Sequence, residues 1–319
     1  MSFNRLRLAS IIAAGFAALV CSQPASAQSD HTFLSVHGVD SPTCGAIDSP
    51  CRTFNVAITN TNPKGEVIAI DSGVYVDPDI VISKSITLTA APGAHVELYG
   101  TDLESQGVVT VNLGGDTNVT LRNLSVSGLS GFPQRGIQVL GSSGTVSIEN
   151  CVISGRTGEY GAFFGTSGTV QSFIRDTTIT DSGSYGLVFN ASAGLLKASV
   201  EHCRFENNFE EGVAVFGDFC RVTVRESVSS GNTTGFDLLG GSDLNLDRCE
   251  ASNNSFGVYV EHPSGSSRTG VLTISNSIVT NNSDTGLKLA SGAIQSAGNN
   301  IVRRNGTNTS GTITLISGT

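Results

Sequence analysis

A strand phrase recurs along this chain at a nearly fixed interval, and that periodicity leaves few folds open. It reads Val146-Ser-Ile148-Glu-Asn150-Cys151-Val-Ile153, then Ala198-Ser-Val200-Glu-His202-Cys203-Arg-Phe205, then Leu272-Thr-Ile274-Ser-Asn276-Ser277-Ile-Val279. A second phrase, G-I-x-V in its fullest form, follows each copy. Its glycine falls at Gly136, Gly161, Gly186, Gly212, Gly235, Gly257 and Gly286, in steps of 22–29 residues. Such a period means stacked similar units, each burying its apolar face against its neighbours.

Within one unit the apolar residues alternate, as at Val119 and Leu121 or Val222 and Val224, the mark of a strand with one face inward. The pivot residue of the first phrase is Leu124, Cys151, Thr177, Cys203, Ser227, Cys249 and Ser277 in successive units. Before each pivot stands Asn123, Asn150, Asp176, His202, Glu226, Arg248 or Asn276; Asn and Asp tolerate a left-handed backbone, so a sharp bend is expected here. A second corner is expected at Asp181, Asn207-Asn208, Asn232, Asn253-Asn254 and Asn281-Asn282. Short parallel strands joined by such bends make a β-helix. A leucine-rich repeat would need its L-x-x-L-x-L pattern and a helix per unit. A propeller blade would be longer and carry a Trp-Asp signature, in a chain with no Trp.

Residues 1–27 read as a secretory leader: Arg5 and Arg7, an apolar run from Ala9 to Val20, and Ala25-Ser26-Ala27 as the cleavage site. That run is shorter than the roughly 20 apolar residues of a membrane span, and no later stretch supplies one. A secreted or periplasmic location is therefore expected. The formal charge of −9 argues against nucleic acid and anionic membranes as partners, since nothing would neutralise phosphates. Residues 28–65 are expected to form an N-terminal cap and 66–319 the β-helix. The cap would hold a short helix with Phe54, Ala57 and Ile58 on one face and Thr53 as its N-cap. Cys44 and Cys51 flank a turn-rich segment and are expected to form a local disulfide. Cys151, Cys203 and Cys249 share the pivot position two units apart, about 9–10 Å, too far to pair with one another.

The segments Thr32-Phe-Leu-Ser-Val-His-Gly-Val-Asp40, Ser49-Pro-Cys-Arg-Thr-Phe54, Asp71-Ser-Gly-Val-Tyr75 and Ile82-Ser-Lys-Ser-Ile-Thr-Leu88 resemble secreted right-handed parallel β-helix repeat proteins. Their fold is that of the pectate lyase superfamily, which implies an all-β right-handed solenoid over nearly the whole mature chain. It implies no one activity, because that fold hosts lyases, hydrolases, esterases, epimerases and adhesins. The N-T-D, D-D and G-H-G set of polygalacturonases is missing, as are the D-P-H of alginate epimerases and the R-x-P-x-x-R of lyases. Asp77-Pro78-Asp79 is the nearest string to D-P-H and lacks the His.

Two groups of residues are candidates for function. Glu201, His202, Arg204, Glu206, Glu210 and Glu211, with Arg221, Arg225 and Glu226 one unit on, form a charged cluster with the makings of a general base and an electrostatic stabiliser. Calcium is a conceivable ligand of its carboxylates; no other cofactor is expected. Against that reading, Arg122, Glu149, Arg175, Glu201, Arg225 and Asp247 alternate in sign from unit to unit, as a cross-strand ion ladder would. Asp237, Asp243 and Asp247 are weaker candidates, and His262 reads as a loop residue. The second group is aromatic. Tyr160, Phe163 and Tyr185 are expected together on one outer face, with Phe256 and Tyr259 at equivalent positions further along. Aromatic rings on a rigid strand surface suit stacking against sugars, and an apolar outer patch marks an interaction site. The function expected is therefore that of an exported protein binding polysaccharide or cell-envelope glycan through an elongated face. The alternatives are a polysaccharide lyase, hydrolase or epimerase, and a structural or adhesive surface protein.

Overall fold

The structure, a computed structural model, describes residues 28–101, 107–127, 135–154, 159–262 and 265–316; the expected leader lies outside the described residues. The strands pair in parallel throughout the described residues, apart from one isolated antiparallel bridge between Ala46 and Ser49. Each turn runs through two strands of a 20-stranded sheet and one of a 10-stranded sheet. In one turn these are Tyr185–Ala191, Leu195–Glu201 and Arg204–Glu206; the next repeats them as Glu211–Phe216, Cys220–Arg225 and Val228–Ser230. Register advances turn by turn, so that Leu187, Val213, Phe236, Val258 and Leu287 stack in one buried column. The chain is an all-β parallel solenoid, as the period requires.

The first corner is where the sequence places it. Asn123, Asn150, Asp176, His202, Glu226, Arg248 and Asn276 all take left-handed φ between 48° and 58°. Asn and Asp adopt that region readily, whereas other L-residues are strained there. At the second corner the left-handed residues are Asp181, Asn207, Gly231, Asn253 and Asn281. Asn232 therefore does not make the bend expected of it; Gly231 does, and Asn232 follows it into the interior. There Asn208, Asn232, Asn254 and Asn282 are buried in a column, each backbone amide donating to the Oδ1 of the next at 2.8–3.0 Å. These amides have turned out of the strand ladder, so the side chain one turn ahead supplies the acceptor that burial demands.

The pivot column solves the same problem differently. The amide of Cys151 donates to Thr177 Oγ1 at 3.3 Å, that of Cys203 to Ser227 Oγ at 3.0 Å, and that of Cys249 to Ser277 Oγ at 3.0 Å. Thiols and hydroxyls thus alternate along the core. Cys151, Cys203, Cys220 and Cys249 are free and buried, while Cys44 and Cys51 are joined.

The expected helix runs from Phe54 to Asn60 and buries Phe54, Ala57 and Ile58, with the Phe54 ring edge-on to Tyr75 at 5.6 Å. Thr53 has the N-cap backbone conformation, but its hydroxyl donates to Asp40 at 2.9 Å instead of serving the helix. Buried Asp77 takes that role, accepting from the amides of Phe54 at 3.0 Å and Asn55 at 3.4 Å.

Candidate functional site

The G-I-x-V strands stack into one outer face of the large sheet. Its central row is Gln138, Phe163, Val188, Ala214, Asp237, Tyr259 and Lys288, register partners on successive turns, of which Phe163, Tyr259 and Lys288 are partly exposed and the other four are buried. A second row, from the residue before each glycine, holds Tyr160 paired with Tyr185, then Glu211, Thr234, Phe256 and Thr285. The turn glycines leave no room above them: a Cβ on Gly212 would stand 2.0 Å from Ser229 Oγ. That close approach draws the strand inward and sets the flanking side chains on the outer face.

Two ring clusters result. Tyr160 stacks on Phe163 with centroids 5.3 Å apart and leans on Tyr185 at 5.2 Å; Phe216 meets Tyr185 edge-on at 5.7 Å. Further along, Phe256 and Tyr259 lie 5.8 Å apart. Tyr160 and Phe256 are four turns apart along that row, about 19 Å at a strand spacing of about 4.8 Å. Each cluster carries a cation on its π face. The Arg135 guanidinium lies 4.1 Å from the Phe163 centroid, and Lys288 Nζ lies 4.2 Å from that of Phe256. All five aromatic residues singled out in the sequence are thus on this face, three in one cluster and two in the other.

Between the clusters stand carboxyl groups. Asp237 is almost fully buried, and neither its Oδ1 nor Glu211 Oε2 has a hydrogen-bond partner among the described residues. Burial, with Glu211 and Glu261 beside it, pushes the Asp237 carboxyl up to about 8. Burial and neighbouring Glu210 push Glu211 up to about 7. Tyr259 donates to Glu261 at 2.7 Å, and burial followed by this bond raises its phenol to about 12. Tyr185, desolvated and hydrogen-bonded to Glu210, is raised as well. Glu211, Glu261, Arg135 and Phe216 were not among the ligand-binding residues chosen from sequence. Glu211 was legible all the same, since it occupies the Tyr160 and Tyr185 position one turn on.

The charged cluster around His202 is divided. Glu201 and Arg225 pair at 3.5 Å on the outer face of the preceding strands. His202, at the corner, contacts Glu226 through Nε2 and Asp176 through Nδ1 at 3.8 Å, and Glu226 in turn accepts from Arg248 Nε at 2.7 Å. Arg204 pairs with Glu206 on the 10-stranded sheet. Arg225 and His202 are thus engaged by register neighbours, Arg204 along its own strand, and Arg248 by Glu226 in the corner row and by adjacent Asp247 at 3.2 Å; the corner row runs on as Asn150 to Asn123 at 2.8 Å. The expected sign-alternating residues are in register, but the ladder closes only in part: Arg122 pairs with Glu149 at 3.0 Å and Arg225 with Glu201 at 3.5 Å, while Arg175 between them is in no ion pair among the described residues.

The sequence profile of the right-handed β-helix region matches residues 55–218, 109–260 and 160–318 in overlapping hits. The chain belongs to the right-handed β-helix family. This β-helix is similar to the solved structure of pectate lyase Pel9A, with 13% identity, 91% of this chain and 78% of that chain covered, and a TM-score of 0.51. Rhamnogalacturonan lyase follows at 15% identity, 83% and 72% coverage and a TM-score of 0.48. A mutant of the periplasmic alginate epimerase AlgG gives 10%, 80% and 76%, and 0.48. Identities this low speak to the fold alone. No curated protein matches the chain.

Proposed function

We propose that this β-helix is exported and binds polysaccharide along the ring-bearing outer face. The observation that carries this reading is the contact of Tyr160 and Tyr185 on adjacent turns, centroids 5.2 Å apart, with Phe163 and Phe216 joined to them. Half-buried rings held by strands present a surface that is already ordered, so a sugar stacking on it costs little side-chain entropy. The second cluster at Phe256 and Tyr259 extends that surface along the solenoid axis, the direction an extended glycan would follow. Export rests on the leader pattern at residues 1–27; among the described residues no helix is long and apolar enough to cross a membrane.

Affinity electrophoresis through gels containing soluble polysaccharides tests the proposal. The wild type is expected to be retarded by at least one of them, and Tyr160→Ala/Tyr185→Ala to run freely while keeping its β circular dichroism. Retardation that survives the double substitution places the binding elsewhere.

A second reading, cleavage or epimerisation of the bound glycan, is favoured by one observation: Glu211 and Asp237, on adjacent turns, have buried oxygens without partners, and that burial pushes both carboxyls up toward the range a general acid requires. Product analysis on the same polysaccharides, with Asp237→Asn as comparison, decides it.

A further inference from the structure

The carboxyl groups between the two ring clusters say what kind of glycan this face accepts. Glu211, Asp237 and Glu261 come from three successive turns, and among the described residues none of the three is in an ion pair. Asp237 Oδ1 and Glu211 Oε2 are buried acceptors with no donor. A buried carboxylate left in that state is costly, which is why both groups keep their protons near neutral pH; once ionised above about pH 8 they are acceptors only and lack donors. The two cations on the face are already engaged: Arg135 lies over Phe163 and Tyr160 and is 3.7 Å from Glu159, and Lys288 lies over Phe256 and Tyr259. A ligand spanning both clusters must therefore cross an acidic centre with no ion-pair partner, which gathers negative charge as pH rises.

We propose that Glu211, Asp237 and Glu261 form a selectivity site that takes the hydroxyl groups of an uncharged sugar residue and rejects uronates. This rests on the glycan-binding reading above and sharpens it. A neutral sugar brings hydroxyl donors to the half-buried Glu211 and Glu261 and adds no charge beside buried Asp237, while its apolar face meets the rings. A uronate brings a carboxylate, which adds an acceptor where acceptors are already in excess and sets like charges side by side. The rejection has a pH signature. Glu210, Glu261, Tyr185 and Tyr259 surround the pair, and burial keeps Asp237 protonated to about 8 and Glu211 to about 7. Discrimination against uronates accordingly grows as pH rises from 6 to 9.

The test is affinity electrophoresis at pH 8.5 with xyloglucan and galactomannan as neutral probes and with polygalacturonate and alginate as polyuronates. The wild type is expected to bind at least one neutral probe at least about tenfold more tightly than either polyuronate. In Glu211→Gln/Asp237→Asn/Glu261→Gln, which keeps the shapes and removes the charges, that preference is expected to fall by about tenfold. Circular dichroism checks that the triple variant is folded, and Asp237→Asn alone, expected to lose part of the preference, serves if it is not. Two results overturn the inference and leave glycan binding standing: polyuronate binding as tight as neutral binding and dependent on Tyr160 and Tyr185, or a preference unchanged in the amide variants. Absence of binding to every probe overturns this inference and the glycan reading together.

Discussion

The backbone amide of Asn232 donates to the side-chain Oδ1 of Asn254, one turn ahead, at 2.9 Å, while Asn254 Nδ2 donates back to the Ser229 carbonyl at 3.1 Å. The relationship repeats from Asn208 to Asn305 and makes each turn depend on a side chain of the next. Asn254→Ala is expected to strand a buried donor and a buried acceptor at once, at a cost of about 2–4 kcal/mol. Urea unfolding reads this as a lower midpoint. A loss below about 0.5 kcal/mol, the size of an ordinary surface change, contradicts the role assigned to the column.

His202 sits at φ 54° in a position that Asn fills on other turns. His202→Asn is expected to leave stability unchanged or raise it by up to about 1 kcal/mol, because relief of the left-handed strain offsets the lost contacts at an exposed corner. Thermal unfolding checks this, and polysaccharide retardation is expected to be unaffected.

Asp237 and Glu211 give stability a definite pH slope. Their folded pKa values, about 8 and about 7, lie above the unfolded values of 3.8 and 4.5, so the folded state holds protons that the unfolded state has released. Stability from these groups is therefore present in full below pH 4, declines as pH rises through the window between the unfolded and folded values, and levels off above about pH 8. The Asp237 part is on the order of a few kcal/mol. Asp237→Asn is expected to flatten the slope between pH 5 and 8 and to melt above the wild type at pH 9. An unchanged slope would show that Asp237 is ionised in the folded protein at neutral pH.

Cys151, Cys203, Cys220 and Cys249 are buried, and desolvation raises their thiols to about 11 or 12. Iodoacetamide at pH 8 is expected to leave all four unmodified in the native protein and to label all four in guanidinium. Peptide mapping that finds native labelling of Cys203 would mean that its turn opens readily.

Period, pivot and first corner were legible in the sequence because each is a local consequence of stacking. A residue that recurs at one position of every turn meets the same backbone each time, so His202, Glu226 and Arg248 could be placed at left-handed φ although their residue types disfavour it. The second corner was read one residue out at Asn232, since two adjacent residues there divide the work: Gly231 bends and Asn232 turns inward. The charged cluster around His202 looked like a site because its members are close in sequence. In space, alternation and the corners send them to different faces.

The sequence by itself determined the solenoid, its register, and the posts of the pivot cysteines and Asn corners, because a periodic chain can bury its alternating apolar face only by stacking on itself. Only the tertiary structure decided the character of the outer face. Whether Asp237 is an ordinary exposed carboxylate or a nearly buried one depends on Glu211 a turn before it and on Tyr259 and Glu261 a turn after it. Burial and charge proximity are set by neighbours more than 20 residues away in the chain, and no local pattern encodes them.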